Sequence, residues 1–220
     1  MAKKVAGIDE AGRGPALGPL VVAIAAADEA AIAELESLGV KDSKLLAPRV
    51  RERLSEEIQK LCEVKLIILS PEEIDAAVES DNTNLNWLEA DTSVKLVSQA
   101  KPDKVIIDCP SNNIKAYCSY IKEKIKIKDM EIVCEHKADL NNTIVGAASI
   151  VAKVARDAEV EKIKKKIGID FGSGYPSDPK TQEFLRKFWN RKEYSQYFRK
   201  SWDCWKRIGK EKEQKKIGEY

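Results

Sequence analysis

The sequence predicts an α/β fold: a mixed β-sheet flanked by helices, ending in a helical C-terminal extension. Three observations carry that reading. Short apolar runs of strand length recur along the chain. The first two are joined by a tight Gly/Pro connection, whereas later ones alternate with segments of helical periodicity. After residue 170 the pattern becomes basic, aromatic and helical.

In order, Lys4-Val5-Ala6-Gly7-Ile8 reads as a short strand. Leu20 to Ala25 reads as a second, buried on both faces because the run does not alternate. The connection from Ala11 to Pro19 favours antiparallel pairing of the two. Leu46, Val50, Leu54, Ile58 and Leu61 mark a helix, and Val64–Leu69 a strand. Ser70-Pro71-Glu72-Glu73 combines an N-cap serine, a proline at the first helical position and a capping-box glutamate. A helix follows from Leu85 through Leu96, then a strand Lys104–Asp108 stopped at Cys109-Pro110. Ile114, Tyr117 and Ile121 mark another helix and Glu131–Glu135 another strand. A long helix is expected from Thr143 to Lys166, and Gly172-Ser173-Gly174-Tyr175-Pro176 interrupts the pattern. Helical segments around Phe184–Trp189 and Tyr194–Trp205 follow, with fraying from Lys210 to Tyr220. The chain is expected to divide into a core, 1–168, and a basic, aromatic-rich helical subregion, 169–220, packed on it.

Composition excludes several function classes. Five cysteines without a CxxC pair argue against zinc motifs and a disulfide framework, and one histidine, His136, rules out a histidine-rich metal site. Metal chemistry would have to use carboxylates, which favour Mg²⁺ or Mn²⁺. No apolar run approaches the ~20 residues that span a bilayer, and Met1–Val5 lead into patterned sequence without a signal-peptide apolar stretch. A soluble, cytoplasmic protein with no membrane partner is expected.

Charge is unevenly placed. Residues 1–159 carry 21 Lys+Arg against 27 Asp+Glu, a net −6, and residues 160–220 carry 17 against 9, a net +8. Eleven of the 14 aromatics lie after residue 170. Two readings stay open: a basic end that holds a polyanion while carboxylates handle it, or a solvated helical tail whose aromatics pack inward.

The candidate chemistry is acidic. Asp9-Glu10 ends the first strand, Asp108 the fourth, and Asp139 precedes the long helix. Carboxylates converging from separate strand ends suit a divalent cation. Adjacent strand residues face opposite ways, so Glu10 is expected where the chain turns away, at the glycines that follow. Alone, Asp108 also suits a turn former and Asp139 a helix N-terminal charge. Gly12-Arg13-Gly14 can present backbone amides to a phosphate or hydroxyl, or form an ordinary turn. Lys44 suits a phosphate contact or a solvated helix start; His136 suits proton transfer or a structural role.

Taken together, Gly7-Ile8-Asp9-Glu10-Ala11-Gly12-Arg13-Gly14-Pro15, Asp42-Ser43-Lys44 and Val105-Ile106-Ile107-Asp108 resemble stretches of ribonuclease HII, archaeal type. So do Glu135-His136-Lys137-Ala138-Asp139, Ala147 to Asp157, and Gly172 to Pro179, all in the family's order. The resemblance implies a ribonuclease H-like fold and endonucleolytic cutting of RNA in RNA–DNA hybrids. It also implies incision 5′ to ribonucleotides embedded in duplex DNA, leaving 5′-phosphate and 3′-hydroxyl ends. By position it makes Asp9, Glu10, Asp108 and Asp139 the catalytic, metal-binding carboxylates for two divalent ions, Mg²⁺ or Mn²⁺. Gly12, Arg13 and Gly14 would sense the ribose 2′-hydroxyl and flanking phosphate, Lys44 would bind substrate, and Tyr175 would stack on the deoxyribose after the ribonucleotide. Asn141-Asn142-Thr143 is an unusual lead into the Ala147-Ala148-Ser149 helix and bears on where Asp139 sits. A monomer is expected. Gln214-Lys215-Lys216-Ile217 lacks the aromatic pair wanted in a sliding-clamp docking peptide. The rival readings are a resolvase-like or integrase-like nuclease of the same fold class, and a non-catalytic nucleic-acid binding module.

Overall fold

The computed structural model describes residues 3–40 and 46–217. Its strands are β1 (Val5–Ala11), β2 (Leu20–Ala27), β3 (Glu63–Leu69), β4 (Lys104–Asp108) and β5 (Glu131–Glu135). Its helices are α1 (Glu29–Ser37), α2 (Pro48–Leu61), α3 (Pro71–Val78), α4 (Leu85–Ala100), α5 (Ile114–Lys124), α6 (Ala138–Asn141), α7 (Thr143–Ile167), α8 (Pro179–Phe188) and α9 (Asp203–Ile217). The sheet is mixed, in the order β3-β2-β1-β4-β5. β1 and β2 pair antiparallel from Val5↔Ala27 to Ala11↔Val21, as the short Gly/Pro connection requires. β4 runs parallel to β1 from Val5↔Lys104 to Ile8↔Ile107, and β5 parallel to β4 from Lys104↔Glu131 to Asp108↔Glu135. The carboxyl ends of β1, β4 and β5 therefore share one edge of the sheet. In open α/β sheets that edge is where ligands bind. Among the described residues no helix is long and apolar enough to cross a membrane.

The chain gathers into two compact units. The first comprises 1–11, 21–68 and 85–155; the second comprises 12–20, 69–84 and 156–220. In the first unit β2 is buried at every position, as its unbroken apolar run predicted. The first half of α7 packs on β1 at very short range. A Cβ placed on Gly7 would lie 2.4 Å from the Ile144 carbonyl oxygen and 2.5 Å from the Val145 nitrogen. That approach explains why α7 presents Ala147 and Ala148, both fully buried, alongside Ile144 and Val151. Small residues let the helix backbone come close enough to fix what stands on β1.

The second unit has its own core, built of Ala16, Leu17, Val160, Phe171, Phe184, Leu185, Tyr197, Phe198 and Ile208. Phe184 is its hub, with ring centroids of Phe188, Phe171, Tyr194 and Phe198 at 4.9, 5.5, 5.5 and 5.9 Å. Most of the late aromatics thus pack on one another rather than forming a stacking platform. Tyr175 and Trp202 stay partly exposed.

Several elements depart from expectation. The strand β1 does not turn away at Glu10: that residue sits in the ladder opposite Val22, and the turn starts at Gly12, whose φ is +92°. The helix expected over Tyr194–Trp205 is broken into a 3₁₀ turn (Lys192–Tyr197), an extended Phe198 that bridges to Leu17, and the start of α9. The end expected to fray continues as α9 to Ile217. The helix α1 was not foreseen. Three of its nine residues are alanine and only Leu35 is buried, so apolar periodicity hardly marks it; the signal was Asp28, whose side chain caps it by accepting from Ala31 N at 3.0 Å. The capping box at Ser70 and Glu73 is present as read.

Gly7→Ala should place a methyl group inside the Ile144–Val145 peptide and cost about 3 kcal/mol of unfolding free energy. The check is a lower denaturant midpoint at unchanged m-value; a midpoint within error of the parent would contradict the close approach.

Candidate active site

Asp9 is the centre of the site. It stands on β1 facing α7, only 4% exposed. Its Oδ1 accepts the backbone N–H of Glu10 at 2.7 Å, and Ser149 of α7 hydrogen-bonds to its carboxylate. Burial raises its pKa to about 7; the hydrogen bonds from Ser149 and the Glu10 amide oppose the rise, while the negative charges of Asp108 and Asp139 add to it. Asp9 therefore feels the charge of carboxylates from two other segments of the chain.

Parallel pairing explains Asp108. One step beyond the Ile8↔Ile107 pair, Asp9 and Asp108 end matched registers of neighbouring strands. Asp108 Oδ1 accepts the backbone N–H of Ala138 at 3.0 Å, so it holds the first turn of α6. Asp139, the next residue after Ala138, is thereby carried to the same edge, and it is 2% exposed. The turn is made possible by Lys137, which takes the left-handed conformation at φ +56°. Asn142 braces it by donating from Nδ2 to Glu135 and to the Ala138 carbonyl. The Asn141-Asn142 lead-in thus secures the position of Asp139 instead of displacing it.

Glu10 is placed differently. As the alternation of a regular strand demands, it faces away from Asp9. Its charge and that of Glu89 are felt by the buried phenol of Tyr117, whose pKa is raised mainly by burial. Glu10 is partly exposed, while Glu89 and Tyr117 are 2% and 1% exposed. His136 is exposed, and its Nδ1 lies 2.9 Å from the Cys109 carbonyl oxygen. A carbonyl only accepts, so Nδ1 carries the hydrogen there and the ring ties the loop after β4 to the loop after β5. Lys44 falls outside the described residues.

The donor set is chemically consistent with a hard divalent cation: carboxylates only, negative, and repelling one another. Among the described residues, no three of His, Cys, Asp and Glu are gathered closely enough to grip an ion as they stand. Asp9, Asp108 and Asp139 fit such an ion by type and by mutual charge. All five cysteines are free thiols, as their spacing suggested.

The remaining candidates lie in the second unit. Gly12, Arg13 and Gly14 form the start of the 12–20 loop, and Tyr175 lies in the 172–176 loop. The two loops are laced together: Ala16 N and Leu17 N both donate to the Gly174 carbonyl, at 2.8 and 3.3 Å. A Cβ on Gly14 would touch the Tyr175 ring at 3.6 Å. Arg156, 2% exposed, sets its guanidinium 5.3 Å from the centre of that ring and donates from Nη2 to the Ser173 carbonyl at 2.7 Å. Arg199 and Trp202 reach the carbonyls of the Gly12-Arg13-Gly14 loop. Sequence reasoning gave no role to Ser149, Arg156, Arg199 or Trp202. For the two arginines the available signal was a charge set inside an apolar or aromatic run.

Comparison with known proteins agrees with this geometry. The family model for ribonuclease HII matches residues 6–204. A ribonuclease HII from Methanococcus maripaludis is 44% identical over 98% of this chain and 91% of its own length. The crystal structure of ribonuclease H2 from Pyrococcus horikoshii OT3 superposes with a TM-score of 0.85 at 41% identity, covering 94% of this chain and 98% of that one. A ribonuclease HII from Archaeoglobus fulgidus, solved as a complex with PCNA, gives 0.77 at 40% identity over 84% and 86% of the two chains. Bst-RNase HIII in complex with Mn²⁺ gives 0.78 at 25% identity over 94% and 69%. The chain therefore belongs to the ribonuclease HII family, whose members are ribonuclease H endonucleases.

Proposed function

We propose that this enzyme cuts the RNA strand of RNA–DNA hybrids and incises 5′ to ribonucleotides embedded in duplex DNA, leaving 5′-phosphate and 3′-hydroxyl ends. The single observation that carries the reading is the placing of buried Asp9 within reach of the charges of Asp108 and Asp139 at the shared carboxyl edge of β1, β4 and β5. The Mn²⁺ complex of the similar RNase HIII supports assigning divalent ions to these residues.

Asp9, Asp108 and Asp139 would hold divalent ions, two Mg²⁺ or Mn²⁺; Glu10, on the other face of β1, would join them only if the strand end turned there. When bound, such ions activate water and stabilise the charge that develops on a phosphodiester. The protein's own part is to hold the carboxylates in place. Ser149 and the Glu10 amide orient Asp9, and the Ala138 amide orients Asp108. Arg13 and Gly14 present backbone amides, which read a hydroxyl without regard to the base attached. Tyr175, its ring held against Arg156 and Gly14, would stack on the deoxyribose that follows the ribonucleotide. Lys44 and the basic 169–220 subregion would contact backbone phosphates, with affinity that falls as salt rises. The Archaeoglobus complex supports testing a sliding clamp as a partner, although the Gln214–Ile217 segment lacks an aromatic pair.

Asp9→Asn and Asp108→Asn should each lower cleavage of a duplex containing one ribonucleotide by about a thousandfold or more. Folding and duplex binding should stay nearly intact; a variant that cuts at the parent rate removes that residue from the mechanism.

The raised pKa of Asp9 has a definite pH consequence. With the folded value near 7 and the ordinary value 3.8, the folded chain binds this proton more tightly than the unfolded chain. Its contribution to the metal-free protein is therefore fully present at pH 3.8 and below and is lost as pH rises through 7. A cation must displace the proton, so the Tm gain on adding Mg²⁺ should be larger at pH 8 than at pH 5.5. Asp9→Asn should flatten that dependence; an equal gain at both pH values in the parent would refute the coupling.

Tyr175→Phe should keep the preference for cutting at an RNA-to-DNA junction, whereas Tyr175→Ala should lose it by about tenfold. Equal effects of the two substitutions, measured on matched junction and continuous hybrids, would argue against stacking.

A further inference from the structure

The 12–18 loop is built around a guanidinium from far along the chain. Arg199 is fully buried. Its Nη2 donates to the carbonyls of Gly12 at 2.6 Å and Gly18 at 3.0 Å, its Nη1 to that of Arg13 at 2.9 Å, and its Nε again to Gly18 at 3.1 Å. Three residues later Trp202 Nε1 donates to the Gly14 carbonyl at 3.2 Å. Three consecutive carbonyls, 12, 13 and 14, are thus drawn toward the 199–202 segment. The backbone of that segment is itself pinned: Arg199 N donates to the Ala16 carbonyl at 2.9 Å, and the Asp75 carboxylate accepts from the amides of Lys200 and Ser201 at 2.8 and 3.0 Å.

Peptide geometry turns this into a statement about donors. All described peptide bonds are trans, and in a trans peptide the N–H points opposite to the C=O of the same plane. With the Gly12 carbonyl on Arg199, the Arg13 N–H is directed away from it. With the Arg13 carbonyl on Arg199, the Gly14 N–H is directed the same way. The next peptide, whose carbonyl is taken by Trp202, ends in Pro15 and contributes no donor. Two neighbouring amides, those of Arg13 and Gly14, are therefore directed away from Arg199, and the peptide that follows adds no donor.

We infer that Arg199 is a positioning residue for ribose recognition: by holding the Gly12 and Arg13 carbonyls it aims the Arg13 and Gly14 amides as a paired hydroxyl-reading donor, with Trp202 as its auxiliary. This rests on the reading that the Gly12-Arg13-Gly14 loop senses the 2′-hydroxyl. Lysine at this position keeps the charge but cannot span the three carbonyls that a planar, forked guanidinium reaches at once.

The test measures dissociation constants in the Asp108→Asn background. The probes are a duplex with one ribonucleotide and an all-DNA duplex of identical sequence. The parent should bind the ribonucleotide duplex more tightly. Arg199→Lys should cut that preference about tenfold, the equivalent of one to two hydrogen bonds, while all-DNA affinity stays within about twofold. A parent without preference sinks the loop reading itself. A preference retained in Arg199→Lys, or affinity lost equally for both duplexes, overturns the inference alone, the latter because general loop support would act on both. Should Arg199→Lys fail to fold, Trp202→Phe, which removes only the donor to Gly14, should reduce the preference a few-fold; an unchanged preference there also overturns it.

Discussion

The candidate site depends on a concentration of negative charge around a carboxylate that water barely reaches. Asp9, buried against α7 and flanked by Asp108 and Asp139, is held to a proton near neutrality by desolvation, with like-charge repulsion added. Such a cluster weakens the fold that contains it unless a cation or a proton neutralises it. The scaffold is accordingly rigid where the cluster sits. Gly7 brings α7 into backbone contact with β1, alanines keep it there, and Ser149 on the same helix faces Asp9. The glycine two residues before Asp9 and the serine five residues after Ile144 are parts of one device, which sets a carboxylate against a helix without letting it relax.

The same device shows why the strand-end carboxylates were legible from sequence while their orientation was not. Apolar runs, a capping box and helical spacing carry enough information to order five strands and most helices. The positions of Asp9 and Asp108 then follow from parallel pairing of β1 with β4. Glu10 depended on whether β1 ended one residue earlier or later. A turn beginning at Glu10 would have swung its side chain toward Asp9; the observed ladder through Ala11 leaves it on the side of Tyr117 and Glu89. Glycines at 12 and 14 permit a turn to start but do not say at which residue it starts, and a one-residue difference reverses the face. Asp139 was read from its place before a helix, yet its position is set by Lys137 in a left-handed conformation and by Asn142 bracing the turn, neither of which has a local pattern.

What the sequence hid most completely are interactions between residues far apart along the chain. Arg199 lies 187 residues from Gly12, and no periodicity connects them. It also falls in a stretch whose aromatics read as one helix. The helix is interrupted because Phe198 is extended to meet Leu17 and Arg199 turns inward to carbonyl oxygens. A tertiary demand outweighed a local propensity there, which is the usual way that functional segments escape local rules.

The basic end also needs a different physical reading from the one its net charge invites. Within residues 160–220 Arg199 is buried and bonded within the protein, Lys164 and Lys180 are both paired with Asp170, and Lys162 is paired with Glu159; Arg156, just ahead of this region, is likewise buried and bonded. The cations left to meet phosphate are fewer than the 17 Lys and Arg of residues 160–220, and the late aromatics are largely consumed by the Phe184 core. Inward packing of the late aromatics is one of the two readings that the composition left open. Arg156 and Arg199 spend their charge on backbone carbonyls instead, Arg156 on that of Ser173 and Arg199 on those of Gly12, Arg13 and Gly18, so these two cations shape loops of the chain itself.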